Sequence, residues 1–412
     1  MTKKLISFLG IGKYECVIYE YQDKTNPSDP PLRYPTRFFT EAVLYFIPDI
    51  DEVLLFVTDT VEKHENYAML SKRMENLGID VEPVLIPWAH DEADLWTIFD
   101  KFIEEVQKGD TIIFDITNSF RSLPFLVFIA AAYLRAARNV KIERILYGAY
   151  EARNGDIAPV FDLTPFLGLL NWLRAAHLFV HTGAADEIAG LLKEKTSLSD
   201  LAQTARQISD GLFLLRPFEV AEAASALSER LSAKVTSFPK PFEILAPMLE
   251  AEYQQFACTS ENIEECLPKH LAMICWYYRK GHLAQAVALS REWAVSWACW
   301  KCGCKDWRNY AERRATKGKF LDSDGKSCSS PGLPEMRTLW RKKVGSVALA
   351  DTRNDVLHAG FRENPREVQQ VKADVGVIVR ELLDIAEKSG LALPSNCDEL
   401  RKELSGEDKS SH

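Results

Sequence analysis

Along residues 1–165, short apolar runs alternate with amphipathic stretches. KLISFLGIG opens the series, followed by a stretch from about Thr36 to Phe46, then EVLLFVT, a helix-like segment 61–77, VEPVLIP, a helix-like segment 91–107, DTIIFDIT, a helix-like segment 121–137 and KIERILYGAY. Strands that are apolar throughout are covered on both faces, and their alternation with helices predicts a parallel, doubly wound α/β domain. In such a sheet, ligands sit beyond the carboxyl ends of the strands. After Asp162-Leu163-Thr164-Pro165 the β-branched runs fade, and Leu, Ala, Glu and Arg dominate to about residue 392. That composition predicts an all-α remainder. Pro217, Pro239, Pro241 and Pro247 punctuate it, and SFPKPF at 237–242 reads as a joint. The expected domains are therefore 1–165, a helical middle segment 166–242, a C-terminal helical domain 243–395 and a polar tail 396–412.

Composition narrows the classes. With 47% hydrophobic and 26% charged residues, the chain has the balance of an ordinary globular protein, which excludes disorder and fibrous repeats. A formal net charge of −9 excludes a surface that is basic throughout, and with it indiscriminate coating of nucleic acid, but permits a local basic patch. The opening MTKKLISFLGIGKYE is interrupted by Lys13, Glu15 and two glycines before a signal core or spanning helix is complete, so a cytoplasmic chain without membrane association is expected. Nine cysteines, none between residues 17 and 257, do not make a disulfide framework. Cys299-x2-Cys302-x-Cys304, with Cys328 downstream, reads as free thiols or a zinc site. Its spacing matches no common ribbon, so no metal ligands are assigned.

Two regions carry candidate chemistry. After the first strand, Leu9-Gly10-Ile11-Gly12-Lys13 places two glycines where backbone N–H groups could approach a ligand, although a plain turn would look the same. DTIIFDIT, counted as the fourth strand, runs into Asp115-Ile116-Thr117-Asn118-Ser119-Phe120-Arg121 at the start of a helix. Orphan N–H groups and the positive helix end favour an anion there, and Arg121 adds a charged fork; helix capping by Thr117, Asn118 or Ser119 is the alternative. Thr58, ending LLFVTDT, would face the same crevice. Together these residues describe a phosphate-rich or nucleotide-like pocket with no obvious catalytic acid or base.

Near the other end, Arg353 and His358 form an R-x4-H pair within LADTRNDVLHAG, with Asn354 beside the arginine. On a helix, five residues set Arg353 and His358 about 140° apart, whereas Asn354 and His358 share a stripe. A two-fold dimer would present such a patch twice. Arg, a polar amide and His without paired carboxylates suit RNA cleavage by its own 2′-hydroxyl: Arg stabilises the charged phosphorane and His moves protons. A surface arginine and a helix-terminal histidine would give the same pattern. Between Lys301 and Lys319 seven basic residues face only Asp306 and Glu312, with Trp307 and Tyr310 interleaved. Arg308, Arg313, Arg314, Lys317 and, further on, Lys342 are the expected contacts to single-stranded RNA. The stretch Ala284–Trp293, AQAVALSREW, is expected to pack under the motif helix, with Arg291 and Glu292 as structural ion partners.

The order and spacing of KLISFLGIGKYE, DITNSFRSLP, AQAVALSREW and RNDVLHAG resemble the CARF-HEPN ribonucleases of type III CRISPR antiviral systems. The resemblance implies a Rossmann-like CARF sensor that binds a cyclic oligoadenylate, an allosteric activator, across a homodimer or higher oligomer. It also implies a helical HEPN domain that cuts single-stranded RNA without a metal or other required cofactor, leaving a 2′,3′-cyclic phosphate. By the same resemblance, Gly10, Gly12, Lys13, Thr58, Thr117, Asn118, Ser119 and Arg121 bind the activator, and Arg353, Asn354 and His358 are catalytic. The chain departs from its relatives at Thr117-Asn118-Ser119, where they often read Thr-His-Gly. The alternative is a nucleotide-sensing CARF regulator or adaptor whose helical region binds nucleic acid without cutting it. A third reading is a HEPN protein of toxin–antitoxin type whose first domain only dimerises.

Overall fold

A computed structural model describes residues 2–23, 28–119, 122–233, 238–323, 330–341, 347–361 and 363–405. The chain divides into two compact units, residues 1–171 and 172–412.

The first unit contains β1 (Lys3–Phe8), β2 (Val17–Tyr21), β3 (Leu32–Thr36), α1 (Phe39–Phe46), β4 (Glu52–Val57), α2 (Asp59–Glu62), α3 (Glu65–Asn76), β5 (Val81–Leu85), α4 (Glu92–Glu105), β6 (Thr111–Asp115), α5 (Leu123–Arg138), β7 (Lys141–Gly148) and β8 (Ile157–Asp162). All eight strands form one sheet in the order β3-β2-β8-β7-β6-β1-β4-β5. From β7 to β5 every pairing is parallel. Successive side chains of the central strands alternate between two cores. Leu5, Val53, Leu55 and Ile113 pack with α1 and α3, while Ile6, Leu54, Phe56, Ile112 and Phe114 pack with α4 and α5. This is the doubly wound, Rossmann-like arrangement read from the continuous apolar runs.

The sheet is nevertheless mixed rather than purely parallel. β8 is antiparallel to β7, β2 is parallel to β8, and β3 is antiparallel to β2. β2, β3 and β8 were not expected, so the strand ending at Asp115 is the sixth in the chain and not the fourth. The reason is physical: VIYEY alternates between buried and partly exposed positions and LRYPT is largely exposed, so neither has the unbroken apolar signature of a strand covered on both faces.

In the second unit, α6 (Thr164–Thr182) contributes its residues from Trp172 onward. It is followed by α7 (Asp186–Lys193), α8 (Ser199–Phe213), α9 (Pro217–Ala233), α10 (Lys240–Gln254), α11 (Ile263–Arg279), α12 (Leu283–Lys301), α13 (Tyr310–Thr316), α14 (Leu333–Arg341), α15 (Leu349–Leu357), α16 (Val368–Lys388) and α17 (Ser395–Ser405). One hydrophobic core runs from Trp172 to Leu400. At its centre α12 buries Trp293 and Trp297 and is apolar on most of its circumference, as a helix enclosed by neighbours must be. Pro247 and Pro268 lie inside α10 and α11 rather than ending them. The polar tail expected from residue 396 is corrected over its first part: α17 is helical, and Cys397 and Leu400 are buried in the core, with Cys397 Sγ 2.8 Å from Cys275 Sγ on α11. The periodic burial of two residues in eleven was hidden by the charged residues around them. GEDKSSH lies outside the described residues.

Among the described residues, no helix is long and apolar enough to cross a membrane.

Candidate functional site

β6, β1 and β4 lie side by side and parallel, so their carboxyl ends bring the loops after Phe8, Val57 and Asp115 to one edge of the sheet. Strands from later in the chain flank β1 on both sides, β4 on one and β6 on the other, and a crevice opens at such strand ends. The first loop is held from both sides. Asn66 on α3, itself buried, donates to the carbonyls of Gly10 and Gly12 at 2.9 Å each. The Gly10 N–H donates to the Tyr14 hydroxyl at 2.9 Å. A Cβ at position 10 would stand 3.2 Å from that hydroxyl, so any larger residue would push Tyr14 back by a few tenths of an ångström. The Gly10 amide is therefore committed within the loop rather than offered to a ligand.

The loop after β6 is anchored at Asp115. Its carboxylate is fully buried and accepts from Ser7 Oγ at 2.6 Å and from the Thr117 N–H at 2.9 Å. Burial pushes its pKa up against these hydrogen bonds. Thr117 Oγ1 accepts from the Gly148 N–H at 2.8 Å, and Ser119 Oγ donates to the Ile116 carbonyl at 2.8 Å. Neither hydroxyl caps α5, whose N-cap, Ser122, makes no side-chain capping bond. Thr58 is buried and caps α2 through Val61. Arg121 lies outside the described residues.

Two crevices result. One, of about 290 Å³, is lined by Lys13, Tyr14, Arg37, Thr117, Asn118 and Tyr147 among others. The other, too small for more than a water, holds Thr58, Asn118 and Ser119. Asn118 belongs to both. Among the described residues, Lys13, Arg37 and the Asn118 amide have no side-chain partner and are the donors left over for a ligand. Sequence reasoning missed Arg37, because it follows β3, one of the unexpected strands.

In the helical unit, α12 packs against α15. Arg353 is half-buried on α15, and its Nη1 donates to Asn354 Oδ1 at 3.0 Å while its buried Nε has no hydrogen-bond partner. His358 is exposed at the C-cap, where the chain reverses through Ala359 and Gly360, both with positive φ. Among the described residues, no hydrogen bond joins Arg353 to His358. Arg353 instead lines a cavity of about 460 Å³ together with Phe218, His270, Leu289, Arg291, Glu292, Arg308, Arg313 and Leu357. His358 is not on that lining. The motif helix is fixed by Arg366, which pairs with Asp351 and Asp374 and donates its backbone N–H to Asp355 at 3.2 Å; no sequence motif singled it out.

The basic segment divides by role. Arg291 pairs with Glu292, and Arg313 reaches Glu292 at 2.9 Å, Ser296 at 2.8 Å and the Trp307 carbonyl at 3.0 Å. Burial pushes the Glu292 carboxyl up, but the two arginines outweigh it and hold its pKa below the usual range. Arg308 lies over the Phe218 ring at 4.6 Å. Lys317 pairs with Asp322 at 2.6 Å, and Arg314 is exposed with no partner among the described residues. Trp307, expected as a stacking platform, is buried with its indole N–H on the Glu261 carbonyl; Tyr310, at 76% exposure, is the aromatic that faces out. Lys342 lies outside the described residues. Among the described residues, no three His, Cys, Asp or Glu side chains gather as a metal site would require.

Comparison with known proteins bears on the first unit most directly. Residues 4–151 match the family model for the CARF domain of the CRISPR system endoribonuclease Csx1. Residues 4–151 are thus a CARF domain of the Csx1 type, in a chain similar to CRISPR-associated proteins. Residues 168–259 match the model for the second domain of the CRISPR-associated protein MJ1674. MJ1674 from Methanocaldococcus jannaschii is 29% identical over 168 residues, covering 36% of this chain and 26% of that protein, so the chain spans about a quarter of that relative's length. The protein that gives its name to the matched CARF model is described as a CRISPR system endoribonuclease.

Proposed function

We propose that this protein is an endoribonuclease of type III CRISPR defence that a cyclic oligoadenylate switches on. The observation that carries the reading is the Csx1-type CARF match over residues 4–151. It coincides with a crevice at the strand ends where Lys13, Arg37 and Asn118 are uncommitted. These donors suit phosphate oxygens and base edges. The activator is bound across a homodimer. An exposed apolar face supports this: Phe125, Ile129 and Tyr133 line one side of α5, and Tyr133 continues through Phe99 to Trp96 on α4. Patches of this kind mark association surfaces, and an isologous pair of CARF units suits a ring with two-fold symmetry.

Binding then shifts the population toward a competent HEPN-type site in the helical unit. There Arg353 holds and neutralises the scissile phosphate, Asn354 orients Arg353 through their hydrogen bond, and His358 moves the proton between the 2′-hydroxyl and the leaving 5′-oxygen. The attacking oxygen belongs to the RNA, so the step requires no metal or cofactor and the products carry a 2′,3′-cyclic phosphate and a 5′-hydroxyl. Because Arg353 and His358 are turned apart on one α15, the competent site combines groups from two copies.

The test is cleavage of a fluorescent single-stranded RNA in EDTA, with and without a panel of cyclic oligoadenylates, by wild type and His358→Ala. Cleavage that needs one ring size and vanishes in the variant supports the reading. Ring binding without cleavage moves it to a nucleotide-sensing regulator. Products ending in a 3′-hydroxyl exclude the mechanism.

A further inference from the structure

The cavity beside Arg353 is larger than phosphate binding needs. Its volume of about 460 Å³ falls in the range of roughly 300–1,000 Å³ typical of small-molecule pockets. The walls are sorted by chemistry. Leu215, Phe218, Leu289, Trp293 and Leu357 supply apolar surface, and Arg291, Arg308, Arg313 and Arg353 supply positive charge. Leu215, one of the cavity's wall residues, sits at φ 55, a left-handed conformation that L-residues other than glycine rarely adopt. The guanidinium of Arg308 over Phe218 makes a flat cationic surface on which an aromatic ring can stack.

Two carboxylates line the cavity: Glu219, 70% exposed with Arg216 4.0 Å away, and, set among the other arginines, Glu292. Glu292 is ionised, held so by Arg291 and Arg313, and those two ion pairs occupy only part of its acceptor capacity. A carboxylate accepts hydrogen bonds and donates none. Facing a nucleobase, it favours the amino-bearing edges of adenine, cytosine and guanine, and it repels the carbonyls that flank the single N–H of uracil.

We propose that this cavity is a base-specificity pocket: it receives the nucleobase adjoining the phosphate held by Arg353, stacks it against Arg308 and Phe218, and uses Glu292 to select bases that present an amino group. The occupant is one nucleotide of single-stranded RNA, matched in charge at Arg353 and in shape at the apolar walls. The inference rests on the endoribonuclease reading and adds a substrate preference to it.

The test uses the full chain in two assays. In the first, activated protein cuts RNA oligonucleotides that differ only in the base at the scissile position. Wild type should cut beside A, C or G at least about tenfold faster than beside U, the effect of one charge-assisted hydrogen bond. Glu292→Gln should narrow that ratio, and Leu357→Trp, which fills the cavity, should lower kcat/KM about tenfold or more at every base while ring affinity is unchanged. The second assay needs no cleavage: quenching of tryptophan fluorescence by AMP, CMP and UMP. AMP and CMP should bind at least about tenfold more tightly than UMP, with that difference absent in Leu357→Trp. Leu357→Trp also covers the case in which Glu292→Gln fails to fold. Cleavage that ignores the base, or mononucleotide binding indifferent to Leu357→Trp, overturns the pocket and leaves the nuclease standing. Base-selective binding by a protein that never cuts RNA keeps the pocket and removes the nuclease.

Discussion

The Nε of Arg366 lies 3.0 Å from the carboxylate of Asp374, a side chain only 2% exposed, and this contact fastens the motif helix α15 to α16. The same guanidinium reaches Asp351 and, at 3.4 Å, Thr352 on α15. Removing one partner leaves a buried charge uncompensated, which costs about 3–5 kcal/mol. Arg366→Met should therefore lower the unfolding free energy of the helical unit, read from urea titration, by that amount. Arg366→Lys should recover little, since an ammonium cannot reproduce a fork that spans two helices. A loss of unfolding free energy below about 1 kcal/mol in Arg366→Met would show that the pairing is a surface one.

In the proposed function, Arg353 and His358 serve the RNA and not the ring. Arg353→Ala and His358→Ala should each reduce cleavage by about a thousandfold or more, the scale of losing a charge stabiliser or a proton-transfer group. Ring affinity, measured by calorimetry, should stay within about twofold of wild type, because neither residue lies in the CARF unit. Equal loss of ring binding in both variants would show that the two functions share a site.

Arg37 and Asn118 carry the converse expectation. Arg37→Ala and Asn118→Ala should weaken ring binding about tenfold to a hundredfold, as one or two hydrogen bonds to charged oxygens are lost. At saturating ring, cleavage should return to the wild-type rate. Asn66→Ala acts one step back: it releases the carbonyls of Gly10 and Gly12, so it should weaken binding and also lower thermal stability by about 1–3 kcal/mol. Ring affinity untouched by Arg37→Ala would remove that crevice from the assignment.

His270 sets a pH dependence. It is buried, and burial together with Arg308 and Arg313 lowers its pKa to about 4 from an ordinary 6.5. The unfolded chain therefore binds a proton between pH 6.5 and 4 that the folded chain does not, so stability from this group is complete above 6.5 and falls as the pH drops toward 4. The loss is of order 3 kcal/mol at most. Urea titrations at pH 7 and pH 4.5 should show it, and His270→Phe should flatten the difference. A wild-type midpoint constant over that interval would mean His270 is paired with an unrecognised acid.

The sequence by itself determined the class of both regions, because the signals involved are local. Unbroken apolar runs such as EVLLFVT exist only where a strand is covered on both faces, and Leu- and Ala-rich periodicity without β-branched runs admits little but helix. It also located the loops after β1 and β6, since parallel strands must all end at one edge of the sheet. Tertiary structure decided the rest. β2 and β3 are held by their neighbours rather than by an apolar signature, and Arg37 enters the crevice only because β3 places it there. Trp307 looked like a platform among lysines and arginines, yet the core claims its ring. Seven basic residues spread between Lys301 and Lys319 say nothing about which of them a carboxylate will capture: Arg313 and Lys317 are taken by Glu292 and Asp322, while Arg314 is left to solvent. Such pairings depend on distances across the fold, which no local pattern encodes.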